Sequence, residues 1–573
     1  MHKLRVGLIT DSVDVPKYVQ QFVIWASKQE SIDVSHLIVV NKVDEDHREN
    51  APKRDHKWKS FPRRLVEFVE RSLLERYNNG IHADHFEQCD ISALIPHKID
   101  VSLGTHAECI GRPGEIVSAE LRDQNIDLFI ALDGCDLLPG IEDSSRLGTI
   151  RLRLSDTHAT RECPIGFWEC FHGCAKTGFV IERLNASAEL LVIGYVTTQF
   201  FYSLNQAFLA RRASERLKYL LQDIGELGRL PPAEPKLPYS GPLNEAPSIF
   251  VWLVYGIKLA SRLLGWALSK LLGMQMRWSV LVIPEDWRDA TLYEGMVIRV
   301  EPGRFLADPF LVSEAGKTYC FVEDFSSKEN KAKISVFEVG PGYYREHGPC
   351  LVEPFHLSFP FVFRFEEDVY MIPESCAARQ IRLYRCKKFP CEWELDTILI
   401  DDLSAADSML FHHNSRWWLL TNIDRSGLND CGGELHLYYS DSPKATRWNS
   451  HPKNPIVFDP GHARNGGCVH DQNGRLYRVA QAQGFDLYGH HTSVFEITEL
   501  TEESYKEELV TEIRPGFKKS ALGTHHMSAL HGLTVVDFVE KVPFASHQSR
   551  FALPRLWQRP DRAVRAERPD CLY

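Results

Sequence analysis

Short apolar strands separated by turns and aromatic residues repeat through the second half of the chain, from about residue 277 to about residue 545. Within each copy two strands follow one another, and polar or turn residues recur at two fixed places. Copies of roughly 50 residues built from short strands are typical of β-propellers, in which each copy forms one blade. The pattern therefore predicts an all-β C-terminal domain with five blades.

Equivalent positions of successive blades converge on the axis of a propeller, so the repeat also predicts which side chains meet. One position opens each copy, and a second follows fifteen residues later. Together they predict a ring of carboxylates and amides around one pocket. The opening residues are Asp308, Phe359, Asp407, Gly466 and His525, and the later ones are Glu323, Glu374, Asn422, Gln481 and Glu540.

The acids of this ring suit chemistry at a glycosidic bond. Hydrolysis of a glycosidic bond needs two carboxyl groups that face one anomeric carbon, one protonated and one ionised. Asp308 can form such a pair with Glu374 or with Asp407, and these three are the predicted catalytic residues. The predicted substrate-binding residues of the propeller are Glu323, Asn422, Arg464, Gln481 and His525.

The first blade carries a motif found in known propeller enzymes. Ala307-Asp308-Pro309-Phe310 resembles the first-blade motif of the five-bladed glycoside hydrolases of families 43 and 32. In those families the Asp is the catalytic base, while further acids act as general acid and as pKa modulator. Phe359 stands where a second-blade acid would be expected, so the chain departs from the hydrolase set there.

A second resemblance covers nearly the whole propeller half. The segments 305–310, 356–362, 370–375 and 477–481 look like the propeller domain of glucosamine inositolphosphorylceramide transferases. In the plant members that domain precedes a separate glycosyltransferase domain. The resemblance implies a module that handles a sugar or a glycolipid, without specifying donor or acceptor.

The first 228 residues alternate apolar runs with helical patterns, which predicts an α/β domain with a parallel sheet. Segments 148–155, 164–169 and 177–184 resemble the core of the Rossmann-type formyltransferase fold, whose members use 10-formyltetrahydrofolate. The family places Asn and His on the strand where this chain has Arg151 and Arg153. An arginine does not deprotonate near neutral pH and cannot act as a general base, so this cofactor is disfavoured.

Arg151 and Arg153 lie two residues apart and therefore on one face of their strand. They are predicted to bind an anionic group of the substrate, such as a phosphate or a carboxylate. The alternative is a salt-bridged strand end with Asp133, Asp136 or Asp156 as partner. The domain itself is then either a degenerate binding domain or the site of altered transfer chemistry.

Residues 229–276 form a linker that is rich in proline up to Pro247 and strongly apolar over 248–273. The apolar stretch is long enough to span a bilayer, but Lys258, Arg262 and Lys270 interrupt it. Three interpretations stay open: an in-plane helix on an anionic membrane surface, a helix packed between the domains, and a transmembrane span. The predicted domains are 1–228, 229–276, 277–546 and a basic tail over 547–573.

Composition narrows the functional class. The net charge of −11 and the pI near 6.1 disfavour a nucleic-acid-binding protein. Fourteen cysteines without framework spacing favour a reducing compartment. The N-terminus does not read as a signal peptide, so a cytoplasmic location, peripheral at the inner membrane face, is expected. No metal site is predicted, because adjacent histidines in a strand point to opposite faces.

These observations predict a carbohydrate-active protein, a sugar transferase in cell-surface glycan or glycolipid biosynthesis. Its partners would be a sugar or glycolipid substrate and a membrane surface at 248–273. The first alternative is a propeller-type glycosidase. The second is a non-catalytic glycan-binding protein with a degenerate formyltransferase domain.

Overall fold

The computed structural model shows an N-terminal α/β domain and a C-terminal all-β domain, with a long helix between them in the sequence. It describes residues 3–42, 56–76, 84–103, 121–135, 141, 144–156, 163–185, 188–235, 244–428 and 430–543. The predicted basic tail and Asp136 lie outside these residues.

The N-terminal domain is an α/β domain built on a seven-stranded sheet with the order β5-β3-β1-β6-β7-β8-β9. The first five strands of that order pair in parallel, and β8 and β9 form an antiparallel hairpin at the edge. A short β2–β4 pair lies outside this sheet. The strands are β1 Leu4–Thr10, β2 Asp14–Pro16, β3 Ile32–Lys42, β4 Gln88–Asp90, β5 His97–Leu103, β6 Leu128–Ala131, β7 Thr149–Arg153, β8 Lys176–Leu184 and β9 Glu189–Thr197.

Strands β1 and β6 are almost wholly apolar and buried, as expected for parallel strands covered on both faces. One face packs against α1 and α4, and together they form the main core of the domain. The predicted α/β character is thus observed, while the resemblance to formyltransferases stays a prediction. The helices are α1 Lys17–Ser27, α2 His56–Arg76, α3 Phe167–His172, α4 Tyr202–Leu227 and α5 Ile249–Leu271.

The C-terminal domain consists of strands with short turns. In chain order they are β10 Met274–Ile283, β11 Met296–Val297, β12 Arg304–Glu314, β13 Lys317–Ser326, β14 Lys331–Gly340, β15 Tyr343–Leu351, β16 Ser358–Phe365, β17 Asp368–Glu374, β18 Gln380–Lys388, β19 Glu392–Asp401, β20 Ala405–His413, β21 Arg416–Ile423, β22 Leu435–Ser440, β23 Asn449–Ser450, β24 Arg464–Gln472, β25 Arg475–Gly484, β26 Leu487–Leu500, β27 Tyr505–Ile513, β28 Ala521–Gly523, β29 Met527–Leu530 and β30 Leu533–Pro543. Short 3₁₀ turns lie at Leu292–Glu294, Cys376–Ala378 and Pro515–Phe517.

These strands form five antiparallel blades, which confirms the all-β propeller. Blades I to IV are consecutive: β12–β15, β16–β19, β20–β23 and β24–β27. The inner strands β12, β16, β20, β24 and β29 follow one another around the axis, and β29 returns to β12. The ring is thereby closed.

Blade V is assembled from both ends of the domain, which the repeat did not indicate. Its inner strands β29 and β30 come from the C-terminal end, while its outer strands β10 and β11 come from the beginning. Strand β10 pairs with β30 along its whole length, from Met274 opposite Pro543 to Ile283 opposite Thr534. This pairing closes the ring, so that only the outer strands of the blades remain as edges.

The opening positions of the repeat coincide with β-bulges. The register between the two inner strands shifts between Ala307 and Phe310 in blade I, and at the equivalent places in blades II, III and IV. Asp308, Phe359 and Asp407 have φ of 51°, 45° and 47°. Left-handed backbone at a residue other than glycine costs on the order of 1 kcal/mol and clusters at functional sites.

A buried ion cluster joins the two domains. Arg212 of α4 is fully buried and donates to Glu434 Oε1 at 2.7 Å, to Asp430 Oδ2 at 3.2 Å and to Asp430 O at 2.9 Å. Asp424 Oδ1 lies 3.5 Å from the same guanidinium. We call Arg212 with these three acids the interdomain cluster. Lys176 adds a partly exposed pair with Asp459 at 2.6 Å.

Candidate functional site

Acidic and basic side chains from all five blades meet near the propeller axis, and we call them the axial cluster. All of its side chains are at least four-fifths buried. It unites the three predicted catalytic acids with three of the predicted binding residues. Its members are Asp308, Glu323, Glu374, Asp407, Arg464, His525 and Asp537.

One half of the axial cluster is organised by Arg464, at the start of β24. Its Nε donates to Asp407 Oδ2 at 2.5 Å, and its Nη2 lies 3.4 Å from Glu374 Oε2. Cys376 Sγ donates to the other Glu374 oxygen at 3.3 Å. One guanidinium thus bridges the acids of blades II and III, although those acids lie 33 residues apart in the sequence.

Asp407 is set up to keep a proton near neutral pH. Burial, opposed by the charge of Arg464 and reinforced by Glu374, raises the pKa of Asp407 to about 8. A second carboxylate at hydrogen-bonding distance disfavours ionisation of the first, because the two charges would repel each other. A carboxyl group with this pKa can donate a proton at the pH where ordinary carboxyls are already ionised.

The other half of the axial cluster is a chain of two acids with a histidine between them. His525 Nδ1 lies 2.6 Å from Asp537 Oδ2, and its Nε2 lies 3.4 Å from Asp308 Oδ1. Asp537 also accepts the main-chain N–H groups of Asp308, His525 and His526, at 3.2, 3.0 and 2.9 Å. The imidazole is thus placed between the two carboxyls, with Nδ1 toward Asp537 and Nε2 toward Asp308.

Asp308 shares the environment that protonates Asp407. Burial, together with the charges of Glu323, Asp407 and Asp537, raises the pKa of Asp308 well above its usual range. Glu323 in turn lies 3.2 Å from His356 Nε2. The acids of the axial cluster outnumber its single permanent cation, Arg464, which is why the pKa values of Asp308 and Asp407 are raised.

Two aromatic rings lie beside these groups. The ring of Trp278 in β10 is centred 3.9 Å from the His525 ring, and Tyr488 in β26 lies 5.4 Å from His525. The Arg464 guanidinium is 5.2 Å from the centre of the Tyr488 ring. Flat apolar rings next to carboxyl groups suit the stacking face of a sugar.

Sequence reasoning missed two members of this site for different reasons. Asp537 opens the segment Asp537–Glu540, in which the repeat predicts the last residue, Glu540, as the axial position. Trp278 belongs to the closing strand β10, which lies outside the five copies, so no internal signal pointed to it. It joins the site only because β10 pairs with β30.

Of the other predicted positions, Phe359 donates its main-chain N–H to Asp308 Oδ2 at 3.1 Å, and three more lie in the blades outside the axial cluster. Asn422 is fully buried, and its Nδ2 donates to the carbonyls of Glu434 and Ala463, which ties blade III to blade IV. Gln481 is buried opposite Arg464 in the blade IV pairing. Glu540 lies with Ser520 and Lys518. Substrate-binding roles for Asn422 and Gln481 stay predictions.

The paired histidines separate at the axis. His525 enters the axial cluster, whereas the ring of His526 packs against Phe310 at 4.5 Å and Phe359 at 5.4 Å. Burial lowers the pKa of His526 to about 3, so this ring is a neutral part of the core. Ligand atoms of Asp308, His525 and Asp537 lie within 4.8 Å of one another, close enough for one cation. The expectation of no metal stays a prediction.

Arg151 and Arg153 lie at the carboxyl end of β7, where ligands bind in open parallel sheets. Both approach the buried carboxylate of Glu182 on β8, at 4.0 and 3.8 Å. This partner differs from the acids considered in the sequence, since Glu182 becomes a neighbour only through β7–β8 pairing. Asp133 and Asp156 lie nearby, and burial raises the pKa of both, against the charge of Arg153.

A cavity of about 550 Å³ lies at the opposite, amino-terminal edge of the same sheet, away from both groups. It is lined by Arg5, Arg122 and Arg146 among others. Arg146 is held there by Asp127 Oδ1 at 2.8 Å and by the carbonyl of Gly228 at 3.1 Å. None of the residues predicted for the site lines this cavity.

Comparison with known proteins concerns the propeller. Residues 296–535 match the family described as Glucosamine inositolphosphorylceramide transferase 1, N-terminal. The chain is 37% identical over 211 residues to glucosamine inositolphosphorylceramide transferase 1 of Oryza sativa subsp. japonica, and 38% identical over 211 residues to that of Arabidopsis thaliana. The alignments cover 36% of this chain and 28% and 27% of those relatives. The predicted resemblance of the propeller to this family is confirmed over less than a third of the relatives' length.

Solved structures that are similar to the chain include two glycoside hydrolases. A family 117 glycoside hydrolase of Zobellia galactanivorans aligns with a TM-score of 0.30 and 10% identity, over 47% of this chain and 91% of that chain. The catalytic domain of a family 62 α-L-arabinofuranosidase of Coprinopsis cinerea gives 0.31 and 12%, over 46% and 97%. At scores this low, the propeller architecture rests on the strand pairing.

Proposed function

We propose that this protein is a sugar transferase of glycan or glycolipid biosynthesis, whose propeller binds the sugar and supplies the acid and base. The observation that carries the proposal is Asp407, a buried carboxyl with a pKa near 8 beside Arg464 and Glu374. Relatives of the matched segment are named glucosamine inositolphosphorylceramide transferase, which supports a glycolipid as the product class.

In this proposal Asp407 is the general acid. It donates its proton to the leaving oxygen as the bond from the anomeric carbon to that oxygen breaks. Glu374 keeps the pKa of Asp407 high, and Arg464 fixes the orientation of both carboxyls. The proton returns to Asp407 from solvent after the leaving group has departed.

The acceptor side is served by Asp308 and His525. The acceptor hydroxyl forms the new bond to the anomeric carbon and loses its proton to His525 Nε2, either directly or by passing it to Asp308 while Asp308 gives its own proton to Nε2. His525 then releases this proton to solvent. Asp537 holds the histidine in the tautomer that leaves Nε2 free to accept. Trp278 and Tyr488 provide the stacking surface that positions the sugar ring.

The N-terminal domain has a supporting role in this proposal. Arg151 and Arg153 hold an anionic part of the substrate at the carboxyl edge of the sheet. The alternative is a degenerate formyltransferase-like domain kept for docking, and formyl transfer stays disfavoured because neither arginine can act as a base. Saturable binding of tetrahydrofolate to the purified protein, lost in Arg153→Met, would favour the formyltransferase branch.

The test measures transfer from an activated glucosamine donor to inositolphosphorylceramide. Asp407→Asn should lower the rate by about a hundredfold to ten-thousandfold, because Asn cannot donate the proton. Asp308→Asn should also be strongly impaired. The matched control is Asp402→Asn, an exposed acid paired with Arg379 on the outside of blade II, which should keep full activity.

Two outcomes would redirect the proposal. One is the release of reducing sugar by the native protein without an added acceptor, together with the loss of that release in Asp407→Asn. This result would show a propeller-type glycosidase, since water would then be the acceptor. Sugar binding by calorimetry without turnover of any donor would make it a non-catalytic glycan-binding protein. Full activity in both Asp308→Asn and Asp407→Asn would remove the propeller from the chemistry.

A further inference from the structure

The long helix α5 has two opposite faces, and among the residues that the structure describes only one of these faces is covered. Its inner residues Trp252, Tyr255 and Leu259 are buried against Phe167, Tyr202 and Leu428. Its outer face is apolar along the whole helix and open. The exposed fractions there are Ile249 71%, Phe250 69%, Leu253 62%, Ile257 62%, Leu264 60%, Leu268 46% and Leu271 81%.

The two charges in the middle of the helix are turned away from this outer face. Lys258 Nζ donates to the carbonyl of Phe171 at 2.9 Å and lies 3.9 Å from the centre of the Phe171 ring. The Arg262 guanidinium lies 4.6 Å from the centre of the Phe485 ring of the propeller. The charges that interrupted the apolar run in the sequence therefore do not interrupt the outer face.

The helix is long and apolar enough to cross a membrane by length and composition. Its inner face, however, is packed on both domains through Tyr255, Leu428 and Phe485. A helix held along the protein in this way offers a stripe about 35 Å long to its surroundings. That geometry fits a helix lying in the plane of a bilayer surface, with its outer face among the acyl chains.

The charge around the stripe favours an anionic leaflet as its occupant. The chain carries a net charge of −11, yet no Asp or Glu occurs between Glu245 and Glu285. Within that stretch Lys258 and Arg262 face the protein, Arg277 is half-exposed beside Glu540 at 3.5 Å, and Lys270 faces outward. Lys270 is exposed and lies 4.1 Å from the centre of the Trp266 ring, an arrangement suited to the headgroup region.

Helix α2 packs beside α5 and adds apolar surface. Glu70 of α2 is buried, accepts from Tyr255 Oη at 2.6 Å and caps the main-chain N–H of Ser203 at 2.8 Å. The opposite side of α2 exposes Leu65 and Phe68, at 52% and 67%. The bond between Tyr255 and Glu70 thus fixes α5 to α2 and to the N-terminal domain.

The helix also leads directly to the axial cluster. Strand β10 begins at Met274, and four residues later Trp278 stacks on His525. Four extended residues span about 13 Å, so Trp278 lies within that distance of the end of the helix. A second connection runs from Arg262 to Phe485 and then to Tyr488, which contacts both His525 and Arg464.

From this arrangement we propose that the outer face of α5 docks in-plane on an anionic leaflet and presents the axial cluster to the headgroups of lipids that remain in the bilayer. The docking stands on the helix alone, whereas the delivery of headgroups rests on the proposed function. The substrate class is then a membrane-resident lipid with a polyol or sugar headgroup.

The test uses the full chain with phosphatidylcholine vesicles that contain about a third phosphatidylserine. The native protein should cosediment with them, and more weakly with pure phosphatidylcholine. Leu253→Glu combined with Ile257→Glu should lower binding at least about tenfold, because two charged groups would enter the apolar layer. The matched control is Leu509→Glu with Val510→Glu, two exposed apolar residues on the outer strand of blade IV.

A water-soluble fragment of the headgroup separates this inference from the proposed function. The α5 variant should keep activity on the fragment and lose it on the lipid in vesicles. Vesicle binding that is absent, or insensitive to the α5 variant, overturns docking even if transfer is active. Transfer to neither acceptor, with vesicle binding intact, overturns the proposed function instead. A dimer by light scattering that the α5 variant dissociates would show that a second copy covers the face.

Discussion

The interdomain cluster and the axial cluster are each built around a buried arginine, yet they treat their acids in opposite ways. Arg212 is surrounded by Asp424, Asp430 and Glu434, and Arg464 by Asp407 and Glu374. Burial would raise the pKa of Glu434, but hydrogen bonding from His436 and the charge of Arg212 outweigh it and lower that pKa. At the axis burial prevails, and the pKa of Asp407 rises to about 8.

The difference lies in how many donors reach each carboxyl. Glu434 Oε1 accepts a hydrogen bond from Arg212, and Glu434 Oε2 lies 3.0 Å from Tyr219 Oη and 3.1 Å from His436 Nε2. These three polar groups stabilise the ionised carboxylate. Asp407 receives one short bond from Arg464 and faces a second acid. A carboxylate with several hydrogen-bond donors stays ionised and helps to hold the two domains together. A buried carboxyl with few donors keeps a proton that it can transfer.

Removal of each arginine is the sharpest way to break this comparison. Arg212→Met should lower the free energy of unfolding by about 3–5 kcal/mol, because three buried acids lose their cation. Arg464→Met should cost clearly less near pH 6, since Asp407 already favours its protonated form. Urea denaturation of both variants measures this, and equal losses would contradict the distinction.

The dependence of stability on pH should differ between the two clusters. The folded protein holds the Asp407 proton up to about pH 8, while an unfolded Asp releases it near pH 3.9. Stability from this group therefore falls as pH rises between those values, in total by on the order of a few kcal/mol. Glu434, with a lowered folded pKa, contributes stability above its unfolded pKa and loses it as pH falls through the folded value.

Denaturation midpoints at pH 5 and pH 8 check this contrast. Asp407→Asn should lose less stability than the native protein between these two pH values. Glu434→Gln should leave that slope unchanged and remove part of the loss below pH 5. A native-like slope in Asp407→Asn would place the titrating proton elsewhere.

Glu374→Gln sharpens the assignment of roles within the axial cluster. Without the neighbouring charge the pKa of Asp407 should fall, so the alkaline limb of the activity profile should move to lower pH. The rate at the new optimum should stay within about tenfold of the native rate. A loss of about a thousandfold at every pH would instead make Glu374 a reacting group.

The smallest effect is expected at the second ion pair between the domains. Lys176 is 40% exposed where it meets Asp459, so water and salt screen the pair. Lys176→Met should change the free energy of unfolding by less than about 1 kcal/mol. A cost that approaches the cost of Arg212→Met would mean that burial does not distinguish these contacts.

Much of the propeller follows from sequence periodicity. The repeat located the blades and the bulged positions Asp308, Phe359 and Asp407, because equivalent strands need equivalent turns and side-chain faces. The repeat also predicts that side chains of neighbouring copies meet at the axis, and the contacts of Arg464 with Asp407 and Glu374 agree with this. The repeat did not predict the closing strand β10, because β10 has no equivalent in the other copies and pairs with β30, about 260 residues away in the chain.

For helix α5, too, the sequence predicts some properties and the packing decides others. Its length and apolar character are in the sequence, as are Lys258, Arg262 and Lys270. The sequence could not tell whether the charges face water, lipid or protein. Packing decided this, because the aromatic rings of Phe171 and Phe485 that receive Lys258 and Arg262 come from distant parts of both domains.

By itself the sequence determined the five-fold repeat, the α/β character of the first domain and the identity of the acids near the axis. These features depend on the spacing of apolar and polar residues along the chain, which can be seen in one sequence. Only the tertiary structure decided that Asp407 keeps its proton while Glu434 gives it up, and that Asp537 and Trp278 join the site. Both outcomes depend on burial and on the number of donors around each group, which are set by residues far apart in the chain.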